Sequence, residues 1–208
     1  AAVRAKSLPR EPKMLVLGSY GAHETFFRLK GEVEAIFTAL NLPKAEYEAE
    51  ANHPAFHPGR CAKVSMGGKV LGYLGQIHPL VAKNYGIDGE IYCAELDLTD
   101  AFALRLPDPT YHPLPKYPGV SRDLAIVCDE NITVAQAEAV ISAAGGKLLR
   151  SVKLFDVYRG IGVPENKKSL AFSLELRADD RTLTDADSEG TVAKILAALA
   201  EKLNATLR

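Results

Sequence analysis

The 208-residue chain has no stretch approaching the roughly 18 consecutive apolar residues of a membrane-spanning helix. Its opening residues, AAVRAKSLPREPK, have no long apolar core of the kind an export signal carries. Cysteine is sparse. Cys61, Cys93 and Cys128 form no CxxC pair, and an odd, scattered set without an export signal points to reduced, cytoplasmic thiols that pack as small apolar groups. Charge of one sign is also lacking: the formal net charge is −1. That excludes a protein holding nucleic acid mainly through a broad basic surface, and neither DNA nor a membrane is an expected partner. Local recognition of exposed bases, carried by stacking and hydrogen bonds, stays open. There is no internal repeat and no low-complexity tract.

Signatures of catalysis are missing too. No serine or cysteine sits in a nucleophile motif. Gly67-Gly68-Lys69 lacks both the outer glycine and the following Ser or Thr of a phosphate loop, and reads as a turn. Histidines 53, 57 and 78 invite a metal, but Pro54 and Pro58-Gly59 break any helical HxxxH pair, so they read as structural loop histidines. Asp179-Asp180 reads as a turn before a capped helix. The expectation is a chain with no catalytic residue, no metal and no cofactor of its own.

What is present divides at Leu106–Pro118 (LPDPTYHPLPKYP). Its five prolines lack the N–H that a central strand or a helix interior needs. The expected organisation is residues 1–110, a linker over 111–118, and a second domain over 119–208. In the first part, Met14–Gly18 reads as a strand. Leu29–Leu42 reads as a helix, with Val33, Ile36, Phe37 and Leu40 on one face and Pro43 as the stop. Cys61–Ser65 and Val70–Ile77 form a hairpin through Gly67-Gly68. A short helix with Pro79 in its first turn and a strand over Ile91–Leu98 follow.

The second part reads more simply. Arg122–Cys128 is a strand, and Thr133 caps a helix that ends at Gly145-Gly146. Leu148–Tyr158 and Ser169–Arg177 are strands. A last helix starts near Thr184, with Asp187 set for a variant capping box, and a short strand Ala205–Leu207 closes the chain. The order β-α-β-β-α-β is ferredoxin-like, so the fold class is α+β: a mixed or antiparallel-sheet segment followed by a ferredoxin-like domain. Such a sheet buries one face under its two helices. Alternation puts Leu124, Ile126 and Cys128 inside and Asp123, Ala125 and Val127 outside. It puts Leu170, Phe172, Leu174 and Leu176 inside and Ser169, Ala171, Ser173, Glu175 and Arg177 outside. In the second strand Phe155 and Val157 suit the core, leaving Leu154, Asp156 and Tyr158 outside. The open face then offers a floor of small residues beside one tyrosine, one carboxylate and one hydroxyl. That set can stack a splayed-out base and bond its edges, or it can be a plain solvated sheet face.

Three segments of the second part carry a resemblance: KYPGVSRDLAIV (Lys116–Val127), AGGKLLRSVKLFDVYRGIGVPENKKSLAFSLELR (Ala144–Arg177) and DRTLTDAD (Asp180–Asp187). They resemble the anticodon-binding domain of the phenylalanyl-tRNA synthetase β-subunit family. LKGEVEAIF (Leu29–Phe37), FHPGRCAKV (Phe56–Val64) and GYLGQIHP (Gly72–Pro79) resemble the end of the same family's catalytic-like, non-catalytic domain. The resemblance implies recognition of the phenylalanine tRNA anticodon on the open sheet face. Its contact positions fall on Ala125, Asp156, Tyr158 and Ser169, with an arginine near the C-terminus at Arg208. Arg122, Lys167, Lys168 and Arg181 are the candidate phosphate contacts. Further implied are an α subunit bearing the active site, an (αβ)2 heterotetramer, and ATP with Mg²⁺ for the whole ligase. Three departures stand out. Asn166 occupies a position where glycine is common, and Ser188 and Gly190 occupy helix positions where larger residues are usual.

Other classes share parts of this pattern. An acylphosphatase has the same topology but needs a cationic anion cradle after the first strand, where this chain has Asp129-Glu130-Asn131. A small-molecule-sensing domain would need a glycine-rich cleft that is not evident. A protein–protein interaction module without RNA binding is the alternative that the near-neutral charge favours.

Overall fold

The computed structural model describes residues 9, 11–111 and 113–208. Most of the N-terminal stretch considered above for export, and His112 of the proline-rich segment, lie outside the described residues. The chain forms two compact units, Ala1–Thr110 and Tyr111–Arg208. Among the described residues no helix is long and apolar enough to cross a membrane.

The first unit is a five-stranded antiparallel sheet in the order β1-β5-β4-β3-β2. Its strands are β1 (Met14–Tyr20), β2 (Glu46–Ala49), β3 (Phe56–Met66), β4 (Lys69–Ile77) and β5 (Ile91–Asp97). Helix α1 (Phe26–Ala39) starts where the Thr25 hydroxyl accepts from the Arg28 N–H. It buries Leu29, Val33 and Phe37, a four-residue spacing, against Val64, Leu74, Ala94 and Leu96 of the sheet. The helix ends before Pro43 because Asn41 turns left-handed at φ 55°. The Asn41 amide then donates to the carbonyls of Leu106 and Pro107, fixing the start of the proline-rich segment to this helix end. In the β3–β4 hairpin both Gly67 (φ 56°) and Gly68 (φ 76°) adopt the positive φ that a tight two-residue turn demands.

His53, His57 and His78 each use Nδ1 to accept a backbone N–H two residues on, from Ala55, Gly59 and Leu80. His78 in this way caps α2 (Pro79–Asn84). Each imidazole is therefore engaged in a local turn. The thiols are equally passive: burial pushes the Cys61 thiol up to about 11, and burial raises those of Cys93 and Cys128 as well. Sequence patterning missed β2, a short exposed edge strand of sequence Glu-Tyr-Glu-Ala, and α3 (Thr99–Phe102), a single turn.

The second unit is a four-stranded antiparallel sheet in the order β7-β8-β6-β9, covered on one face by two helices. Its elements run β6 (Val120–Asp129), α4 (Val134–Gly145), a 3₁₀ turn at Gly146–Leu148, β7 (Leu149–Tyr158), β8 (Lys167–Leu176), α5 (Asp185–Leu203) and β9 (Thr206–Leu207). This is the expected β-α-β-β-α-β order. The core joins Leu124, Ile126 and Cys128 to Leu170, Phe172 and Leu174, and sets them against Ala137, Ile141, Ile195 and Leu199 of the helices. Both helices open with a capping box, Thr133 with Gln136 and Thr184 with Asp187. Asn166, where glycine is common, sits at φ 61°, a conformation asparagine tolerates better than other side chains. Ser188 is fully buried; its hydroxyl donates to the Asp185 carbonyl and accepts from Arg122, so a small residue leaves room for the guanidinium. Gly190 is exposed, a Cβ there would meet nothing within 4 Å, and the glycine costs about 1 kcal/mol relative to alanine.

The alternation expected for β7 is corrected. Leu154 pairs with Phe172 and joins the core, whereas Phe155 is 56% exposed. A β-bulge is the cause. The register passes from Leu154↔Phe172 to Asp156↔Ala171, so Phe155 is an extra residue that reverses the parity of the strand.

Asp187 accepts from the Thr184 N–H and hydroxyl and from Arg181, and the Thr184 backbone bond is the first reason its carboxyl lies below the usual carboxylate range. A carboxyl whose pKa is lower folded than unfolded stabilises above its unfolded pKa, and that contribution is lost as pH falls through the folded value. Acid titration of thermal stability below the ordinary carboxylate pKa is therefore expected to be flatter in Asp187→Asn than in the parent; superimposable pH profiles would refute this. Phe172→Ala removes a fully buried ring and is expected to cost about 3–5 kcal/mol in urea unfolding of the second unit.

Candidate nucleic-acid interface

The helix-free face of the second sheet is set by register. Residues directly opposite in an antiparallel ladder share a face, so Asp156, Ala171 and Ala125 form one row across β7, β8 and β6. Tyr158, Ser169, Val127 and Thr206 form the next row, across all four strands. Arg208 follows β9 and donates its backbone N–H to the Ala125 carbonyl at 3.0 Å, which adds it to the first row. The structure thus brings Ala125, Asp156, Tyr158, Ser169 and Arg208 into two adjacent rows of one face.

Their exposures differ. Asp156 is exposed and Tyr158 half-buried, whereas Ser169 retains 2% exposure and Val127 8% although both lie on the face without helices. Arg208 and Tyr158 meet on this side of the sheet. The Arg208 guanidinium carbon lies 4.8 Å from the centroid of the Tyr158 ring. One residue is anchored beside β6 and the other stands on edge strand β7, so their side chains meet above β8. The Tyr158 hydroxyl donates to the Ile161 carbonyl at 3.3 Å. Gly160 lies so close that a Cβ there would sit 2.9 Å from the hydroxyl oxygen.

The basic candidates are placed less uniformly. Lys167 lies on the open face, one row beyond Tyr158 and Ser169, and pairs with Asp129 at 3.2 Å. Arg122 and Lys168 share parity with the core residues and lie on the helix-covered side. Arg122 bonds Asp185 and Ser188, and Lys168, 8% exposed, donates to the Glu130 carbonyl. Alternation could have flagged both, because Arg122 precedes Leu124 by two residues and Lys168 precedes Leu170 by two. Arg181 is held by Asp187 at 2.8 Å.

Sequence reasoning put Val127 on the open face without counting it in the floor, and passed over Gly160 and Arg159, which also shape the site. Val127 completes the floor. Gly160 admits the tyrosine. Arg159 bonds both oxygens of Glu130 and holds its carboxyl below the usual carboxylate range, tying the ends of β6 and β7 together. The signal for Gly160 was its place directly after Tyr158-Arg159 in a turn; for Arg159 there was none, since its partner is distant in sequence.

Residues 115–208 match the family described as ferredoxin-fold anticodon binding domain, and residues 2–98 match the phenylalanyl tRNA synthetase beta chain CLM domain. The chain belongs to the phenylalanine–tRNA ligase beta-subunit family. It is 44% identical over 203 residues to the phenylalanine–tRNA ligase beta subunit of Clostridium tetani, covering 98% of this chain and 26% of that protein. Against the beta subunit of Symbiobacterium thermophilum it is 41% identical over 217 residues, 99% of this chain and 24% of the relative. Against that of Aliivibrio fischeri it is 44% identical over 184 residues, 88% and 23% respectively. The chain therefore spans about a quarter of the length of these relatives, and corresponds to the C-terminal region of the family: the CLM domain, then the anticodon-binding domain. Both are binding domains rather than catalytic ones. The family named from the sequence resemblance is the family these matches give.

Gly160→Ala places a Cβ against the Tyr158 hydroxyl and strains a backbone at φ +150°. The expected result is a lower unfolding midpoint together with shifted Tyr158 ring resonances by NMR. A variant with unchanged ring resonances would show that Gly160 does not set the ring.

Proposed function

We propose that the open face of the second unit reads the anticodon of phenylalanine tRNA as part of a phenylalanine–tRNA ligase. The observation that supports this most directly is the convergence of Ala125, Asp156, Tyr158, Ser169 and Arg208 on two adjacent rows of the sheet face opposite α4 and α5. Tyr158 supplies a ring for stacking, Asp156 accepts from a base N–H, the Ser169 hydroxyl donates or accepts, and Ala125 leaves room for the base. Arg208 adds a cation at the same place. Lys167 is the phosphate contact best placed for this role, exchanging Asp129 for a backbone phosphate. Arg181 is a more distant one. Arg122 and Lys168 would each have to give up an internal bond to serve.

The remaining chemistry belongs elsewhere in the assembly under this reading. Residues 1–110 act as scaffold and subunit contact, 111–118 as the link, and 119–208 as the reader. Activation of phenylalanine with ATP and Mg²⁺ takes place on an α subunit, within an (αβ)2 heterotetramer working in the cytoplasm. The near-neutral charge fits a site that relies on stacking and edge contacts more than on counterion release.

The test is binding of a phenylalanine-tRNA anticodon stem-loop at low and at physiological salt. Tyr158→Ala is expected to weaken binding by about 1–3 kcal/mol, the worth of one base–aromatic stack, and a changed anticodon should weaken it too. Binding indifferent to both changes, or RNA-independent association with another protein as the only activity found, would replace this reading with that of an interaction module.

A further inference from the structure

We infer that Arg208 is a strap that closes the stacking site in the RNA-free protein and must leave the ring before a base can enter. The inference rests on the anticodon-reading proposal and adds to it the state in which the site waits. Three observations carry it. First, the guanidinium lies over the Tyr158 ring, 4.8 Å from its centroid, and so occupies a ring face that a base would use. Second, the backbone of Arg208 is pinned at the far side of β6 through its bond to the Ala125 carbonyl, so its side chain can reach β7 only by passing above β8. Third, the residues beneath that path, Val127, Ser169 and Ala171, retain only 8%, 2% and 9% exposure on a face that carries no helix.

No carboxylate among the described residues pairs with the Arg208 guanidinium, so the ring is the contact that holds it. An exposed cation–π contact favours the closed strap by about two- to five-fold, and apparent affinity for a base is lowered by a similar factor. The strap is thus weak enough for RNA to open while keeping the floor dry in its absence. A base that displaces it leaves the guanidinium free for a neighbouring phosphate.

The test uses NMR of the whole 208-residue chain, with Arg208 side-chain protons as the probe. In the free protein they are expected upfield under the Tyr158 ring current. That shift should vanish in Tyr158→Leu, and Arg208→Ala should in turn move the Tyr158 ring resonances. Saturation with the anticodon stem-loop should bring the Arg208 protons to their position in Tyr158→Leu, while the Tyr158 ring resonances move upfield beneath the base. Arg208 protons at unperturbed positions in the free protein would overturn the strap. A bound stem-loop with the Arg208 shift unchanged would overturn its displacement while leaving anticodon reading intact. Absence of stem-loop binding by parent and Arg208→Ala alike would overturn the anticodon reading, and the displacement with it.

Discussion

Strands β6 and β8 lie side by side through ten consecutive residue pairs, from Val120↔Leu176 to Asp129↔Lys167. The second unit depends on that register. Because side chains alternate, a slip of one residue in either strand would send its large residues, Leu124 and Ile126 or Leu170 and Phe172, to solvent and bring its small ones, Ala125 or Ser169 and Ala171, under the helices. Burial of those four large side chains, each 2% exposed or less, supplies the force that prevents the slip. The composition of the open face is thus a by-product of core packing. Once the apolar residues are inside, the small residues between them become a flat floor, and β7 and β9 can only add their own residues to rows already laid down.

That dependence explains what sequence reading could reach. Strict alternation along β6 and β8 left little choice about which residues face out, so Ala125 and Ser169 were legible, and the capping residues Thr133 and Thr184 marked both helix starts. Edge strands obey weaker rules. β7 carries a bulge that no local pattern announces, and parity counted back from Phe155 misassigned Leu154. Asp156 and Tyr158 nevertheless lie on the open face as expected, because both lie beyond the bulge, where Val157, opposite Leu170, has the core parity assigned to it. β2 escaped notice because an exposed edge strand of Glu-Tyr-Glu-Ala buries too little to leave an apolar signature. The basic residues were the least legible: a lysine or arginine reads as surface charge, yet Arg122 and Lys168 reach polar partners at the rim of the core. Contacts far apart in sequence, such as Arg159 with Glu130 or Arg208 with Tyr158, leave no trace in spacing at all.

Charge is local in this molecule. With a net formal charge of −1, Lys167 and Arg159 near the open face are matched within the protein, by Asp129 and Glu130, and Arg181 at the start of α5 is matched by Asp187. Such exposed pairs contribute little to stability individually. Their effect is to hold long side chains in place and to keep the field around the face close to neutral. A face of this kind discriminates by shape and hydrogen bonding, since it offers little undirected attraction to any polyanion.

The bulge in β7 has a consequence for the molecule's behaviour in a crowded solution. β7 is an outer strand of the sheet, and a regular, extended outer strand is a template onto which another chain can align. Here the ladder with β8 is broken at two places, next to Arg150 and at Phe155, so the strand bends and its outward-facing backbone groups fall out of even spacing. A neighbour approaching edge-on meets an irregular rim in place of a continuous row of donors and acceptors. The same irregularity that puts Asp156 and Tyr158 on the open face thus also discourages sheet-to-sheet association.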